Sequence, residues 1–108
     1  MTPEAFAKAF SDEKMQLLRG YFSSKNETAV AIEIDKMELS AGQEERLQKV
    51  IGMVLDDALY TVLLGLDGSA SIGGIQQSYS VYDETGKRIG GSGEIEAAAH
   101  EQFHHSNP

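Results

Sequence analysis

The strongest constraint in this sequence is a capped, helically periodic run in its middle. Ser40 is followed three residues later by Gln43, the spacing at which two side chains satisfy each other's backbone N–H groups at a helix start. Leu47, Val50, Ile51, Val54, Leu55, Ala58, Leu59 and Val62 then recur at i, i+3, i+4 and i+7. These positions cover about half of a helix circumference, the stripe of a helix packed on a sheet. The spacing predicts a helix over residues 40–64, with Gly65 as the left-handed residue that closes it. From 59 to 66 the run is apolar nearly all round, so a turn into a strand near Tyr60 stays open as the alternative.

The flanking segments are shorter. Thr2, Pro3 and Glu4 form a helix start, and Ser11 with Asp12 and Glu13 forms a second one. Two short helices are therefore expected to open the chain. Residues 28–34 alternate, with Val30, Ile32 and Ile34 on one face, as a half-buried strand does. Ile75, Gln77, Tyr79 and Val81 alternate likewise and predict a second strand over 76–82. Asp83-Glu84-Thr85-Gly86 is a turn signal, after which residues 87–89 return as a short strand. After Gly90-Gly91-Ser92-Gly93, Ile95, Ala98, Ala99, Gln102 and Phe103 share the face of a helix over 94–104, with Ser92 as its cap. Residues 105–108 are expected to fray.

A chain of 108 residues fits one domain. It contains no cysteine, which excludes disulfides, thiol catalysis and thiolate metal sites. The mean hydropathy of -0.30 and the lack of a long apolar run exclude a spanning helix. The first ten residues lack the pattern of a secretory signal, so a cytoplasmic location is expected. The expected architecture is α+β: one long helix packs its stripe on a small antiparallel sheet made from 28–34 and 76–82, and the terminal helices cover the edges. The expected core includes Val30, Ile32, Leu47, Ile51, Val54, Leu55, Leu59, Val62, Ile75, Tyr79, Val81, Ile95, Ala99 and Phe103.

Three strings invite a chemical reading. His100-Glu101-Gln102-Phe103-His104 is a literal H-E-x-x-H, whose imidazoles lie one above the other on a helix. A catalytic zinc needs a third protein ligand, and only four residues follow, so His100, His104 and His105 are candidates for adventitious metal binding only. The second string is the glycine-rich run from Gly65 to Gly74. It follows a helix, precedes a strand, and carries Gly74 where a phosphate loop has its lysine. A calcium loop starting at Asp67 lacks its glycine and its closing glutamate. What remains is a tight connection able to present Asp67, Ser69, Ser71 and Gln76. At the third string, 90–93, Glu94 and Glu96 already place negative charge at a helix start, which repels an anionic ligand. No catalytic residue and no cofactor is assigned.

Charge is the more informative property. The formal net charge is -8, and residues 51–86 contain no Lys or Arg while holding Asp56, Asp57, Asp67, Asp83 and Glu84. Such a field repels nucleic acid and anionic membranes and steers basic partners; it also keeps copies apart in solution. Together with the small size, this points to a non-enzymatic acidic protein-binding module. Its partner surface is expected at Asp56, Asp57, Asp67, Ser69, Ser71, Gln76, Asp83 and Glu84. The alternatives are a small metal-dependent hydrolase on the HEQFH segment, or a structural or regulatory homodimer through the apolar 59–66 end.

Leu63-Leu64-Gly65-Leu66-Asp67-Gly68, followed by Ser71-Ile72-Gly73-Gly74 and Gln76-Gln77, resembles a stretch shared by a group of short, uncharacterised bacterial proteins. The likeness continues through Tyr82-Asp83-Glu84 and Gly93-Glu94-Ile95-Glu96 and covers roughly the second half of the chain. It implies that the glycine-rich loop, rather than H-E-x-x-H, is the family-like feature, and it carries over no catalytic residue. In size and acidity the chain is also similar to immunity proteins that neutralise basic bacterial toxins.

Overall fold

The computed structural model describes residues 1–91 and 93–104. The fold is α+β, and its elements in chain order are α1 (Pro3–Tyr21), α2 (Ala29–Lys36), α3 (Ala41–Leu66), β1 (Val81–Tyr82), β2 (Arg88–Gly90) and α4 (Glu94–His104).

The starts of α1 and α3 are written locally. The Thr2 hydroxyl accepts from the Ala5 amide at 3.0 Å, with Pro3 in the first turn, where its missing N–H costs nothing. At the start of α3 the Gln43 amide donates to Ser40 Oγ at 3.2 Å and the Ser40 amide donates to Gln43 Oε1 at 2.9 Å. This is the reciprocal capping box that the spacing demands.

Several expectations need correction. The opening segment is one helix of 19 residues rather than two. Ser11 lies inside it, because Phe6, Phe10 and the half-buried Leu17 and Leu18 keep one uninterrupted face turned inward. Residues 28–34 are not a strand. Thr28 caps α2, accepting from the Ala31 amide at 3.0 Å. Buried Ala31 and half-buried Ile34 form the inward face, three residues apart, while Val30 and Ile32 point outward at 40% and 42% exposure. An extended segment here would have no neighbouring strand to pair with among the described residues, and a helix satisfies its backbone groups internally. Residues 76–80 are irregular, and only Val81 and Tyr82 of the expected second strand pair, antiparallel with β2. The turn between these strands is as expected, with Gly86 at φ +85°.

The long helix also ends later than its glycines suggest. Gly65 is helical, Asp67 is the C-cap, and Gly68 at φ +78° is the left-handed residue. The Gly68 amide donates to Gly65 O at 3.1 Å and the Ser69 amide to Leu64 O at 3.0 Å, the paired bonds of a Schellman end. Gly65 has another task. A Cβ there would lie 2.3 Å from Cγ1 of Ile72, so its bare backbone lets the following loop fold onto α3.

The core is mainly helix on helix, with the β1–β2 hairpin contributing Ile89 and Val81. Helices α1 and α3 run antiparallel, with Lys14 bonded to Asp56 at 2.7 Å and Leu18 lying against Gly52. Leu63, Ile89, Ile95, Ala99 and Phe103 form the buried cluster, with Phe6, Phe10, Leu59, Tyr60 and Val81 packed against it. The expected core members Ile95, Ala99 and Phe103 are buried. Leu47, Ile51, Leu55, Leu59, Tyr79 and Val81 are only half-buried, and Val30, Ile32, Val54, Val62 and Ile75 are exposed, the last at 63%. The α3 residues among them are expected to meet a sheet whose strands 28–34 and 76–80 do not form, and the two-stranded hairpin is too small to cover them.

Two glycines separate space from conformation. Gly90 abuts fully buried Ile95, whose Cγ1 would stand 2.4 Å from an added Cβ, whereas a Cβ on helical Gly52 would meet Leu18 at an ordinary 3.8 Å. Gly90→Ala is expected to destabilise by about 1–3 kcal/mol through overpacking. Gly52→Ala is expected to stabilise by about 0.5–1 kcal/mol through helix propensity. Urea unfolding followed by circular dichroism reads both.

Candidate functional site

The glycine-rich stretch turns out to be an internal clasp. Asp67 is 4% exposed. Its Oδ1 accepts from the Gly91 amide at 2.8 Å and its Oδ2 from the Glu96 amide at 3.0 Å. A carboxylate at the end of α3 thus supplies the negative charge that the first turn of α4 favours. Nearby, the Ser69 hydroxyl donates to Glu96 Oε2 at 2.7 Å, and Gln76 Nε2 donates to Gly68 O at 2.9 Å. Three of the residues expected on a partner surface are therefore used internally: Asp67 and Ser69 hold the loop to α4, and Gln76 closes the loop on itself. Ser71 is exposed.

The remaining expected site residues are dispersed. Asp56 and Asp57 line a shallow cleft of about 210 Å³ with Met53, Tyr60, Phe103 and His104, between α3 and the end of α4. Asp56 is held by Lys14, while Asp57 is exposed and makes no ion pair among the described residues. Asp83 and Glu84 sit in the β1–β2 turn. The Asp83 carboxylate accepts from the Met1 ammonium at 2.6 Å, and also from the Thr85 hydroxyl and amide and the Lys87 amide. The ammonium first and the Thr85 hydroxyl second hold its pKa far below the ordinary carboxylate range.

His100 and His104 lie on the exposed side of α4 with ring centroids 5.4 Å apart. The His104 ring stands edge-on to Tyr60 at 4.4 Å. No group of three metal-ligating side chains is assembled among the described residues. His105 and the expected cap Ser92 lie outside the described residues. No described helix is long and apolar enough to cross a membrane.

What the sequence reading missed is an apolar face. Half-buried Leu47 and Ile51 and exposed Val50, Val54, Ala58 and Val62 lie within about 120° of one another around α3. Helix α1 covers a different side of α3, at Gly52, Asp56 and Leu59. The face leads toward the turn at 72–75, where Gly73 at φ +62° and Gly74 at φ +80° reverse the chain. Two main-chain bonds of 3.0 and 3.1 Å join Ile72 and Ile75 across that turn, and both isoleucines are exposed. The signal was present in the width of the stripe: half a circumference is more than one neighbouring helix buries.

Comparison with known protein families, with curated proteins and with solved structures finds no match.

Two measurements test the site chemistry. Asp67→Ala strands two part-buried amides and is expected to cost about 1–3 kcal/mol in urea unfolding, whereas Ser69→Ala is expected to cost under about 1 kcal/mol. The lowered pKa of Asp83 means that its contribution to stability is full above the unfolded carboxylate pKa and fades as pH falls through the folded value. Acetylating the Met1 amine is expected to move the Asp83 midpoint upward, read by NMR titration.

Proposed function

We propose that this protein is a non-enzymatic protein-binding module that works through the apolar face of α3 and the adjoining turn at 72–75. One observation carries the reading. Val50, Met53 and Val54 on α3 are 54–60% exposed and Ile75 is 63% exposed, while Leu63 and Ile95 are the largest fully buried side chains among the described residues. Contiguous exposed apolar surface on a small domain is the mark of a contact site. The radius of gyration supports it: 16.2 Å, against roughly 13 Å for a compact chain of this length. The molecule extends its apolar surface instead of folding over it.

The net charge of -8 selects among partners by disfavouring nucleic acids and anionic membranes. It also gives a basic protein, such as the toxin of the immunity-type reading, an advantage in long-range encounter. Affinity would come from the apolar face, because Asp56, Asp67 and Asp83 already serve contacts inside the chain.

A photo-crosslinking residue placed at Val54 or Ile75 in the producing cells is expected to yield a discrete polypeptide adduct. The same residue at Gln16, exposed on α1, is expected to yield none. No polypeptide adduct at either face position would overturn the reading.

A further inference from the structure

The charges beside this apolar face have an order. Arg46 lies on its N-terminal part and Asp57 toward its C-terminal part, along one edge. Arg46 and Asp57 are 11 residues apart, three helical turns, so their directions around the axis differ by only about 20°. Both are exposed, and neither has an ion-pair partner among the described residues. Between them run Leu47, Val50, Ile51 and Val54, followed by small Ala58, at the alternating three- and four-residue steps of a helix-pairing seam.

We infer that the occupant of this face is a second copy of the same chain, with the two α3 helices paired antiparallel about a two-fold axis near Gly52. The inference rests on the protein-binding reading and names its partner. A two-fold axis perpendicular to both helices keeps like edges on the same side and reverses the chain direction. Arg46 of each copy then faces Asp57 of the other. Val50 meets Val54 across the axis, and Leu47 meets the space left by Ala58. A parallel two-fold, whose axis runs along the helices, would instead put like edges on opposite sides of the seam, so that Arg46 and Asp57 would not meet. The antiparallel register also brings the start of each α3 toward the other copy's exposed Ile72 and Ile75, widening the buried patch toward the roughly 800 Å² per partner of a stable interface. The like net charge of the two copies opposes this pairing only over long range. It is screened beyond about 8 Å at physiological salt, whereas the Arg46 and Asp57 contacts are local.

Sedimentation equilibrium of the full, untagged chain at physiological salt tests the inference. The expected species at about 100 µM is a dimer. Val54→Arg is expected to give a monomer with an unchanged helical circular dichroism spectrum, since Val54 is 58% exposed and supports no core contact. Arg46→Glu alone and Asp57→Arg alone are each expected to weaken the dimer about tenfold, by turning two attractive contacts into repulsive ones. The double variant carrying both changes is expected to recover the original affinity. A monomer at that concentration, or a double variant no tighter than the singles, overturns the antiparallel pairing. A monomer that still forms adducts with another polypeptide at Val54 leaves the protein-binding reading standing, while the absence of any adduct removes both.

Discussion

The fold depends on where one carboxylate sits. Asp67 closes α3 and, through its two oxygens, accepts from the amides of Gly91 and Glu96 at 2.8 and 3.0 Å. A buried carboxylate is tolerable only when fully hydrogen-bonded, and the unpaired amides at a helix start need acceptors. Each problem resolves the other. The clasp aims α4 so that Ile95, Ala99 and Phe103 meet Leu63. It also explains the glycines around it. Gly68 adopts the left-handed conformation that turns the chain after the cap, and Gly90 comes close enough to Ile95 and Asp67 that no side chain fits between them.

The clasp concentrates the core at one end of the molecule. Leu63, Ile95, Ala99 and Phe103 gather there with the phenylalanines of α1, while the N-terminal half of α3 is covered by α1 on one side only. A chain of 108 residues can bury only part of its surface, and this one leaves a continuous apolar face on its longest helix. That face, more than the net charge, is the chemically distinctive surface. The carboxylates that made the chain look like an electrostatic binder are largely consumed internally, by Lys14, by the Met1 ammonium and by the backbone of the clasp.

Local signals were legible where the chemistry is local. Ser40 and Gln43 marked the start of α3 because a capping box involves only neighbouring residues. Glu94–His104 was readable from its stripe, and the reversal at Gly86 from its turn residues. Residues 28–34 failed because alternation and helical spacing overlap in a short apolar run. The deciding factor is a long-range one: among the described residues no strand lies beside Val30, Ile32 and Ile34 to pair with them. Gly65 was taken as the end of α3 for its conformational freedom, whereas its role is the close approach of Ile72.

By itself, the sequence determined the α+β class, the long capped helix and the terminal helix. It also determined that the glycine-rich run builds neither a phosphate loop nor a calcium loop. All of these follow from residue spacings within a few turns. Tertiary structure alone decided that the stripe of α3 meets α1 and solvent instead of a sheet, and that Asp67 belongs to the interior. The physical reason is that periodicity specifies which side chains share a face but not what that face will touch; that is settled by how many neighbours the rest of the chain can supply.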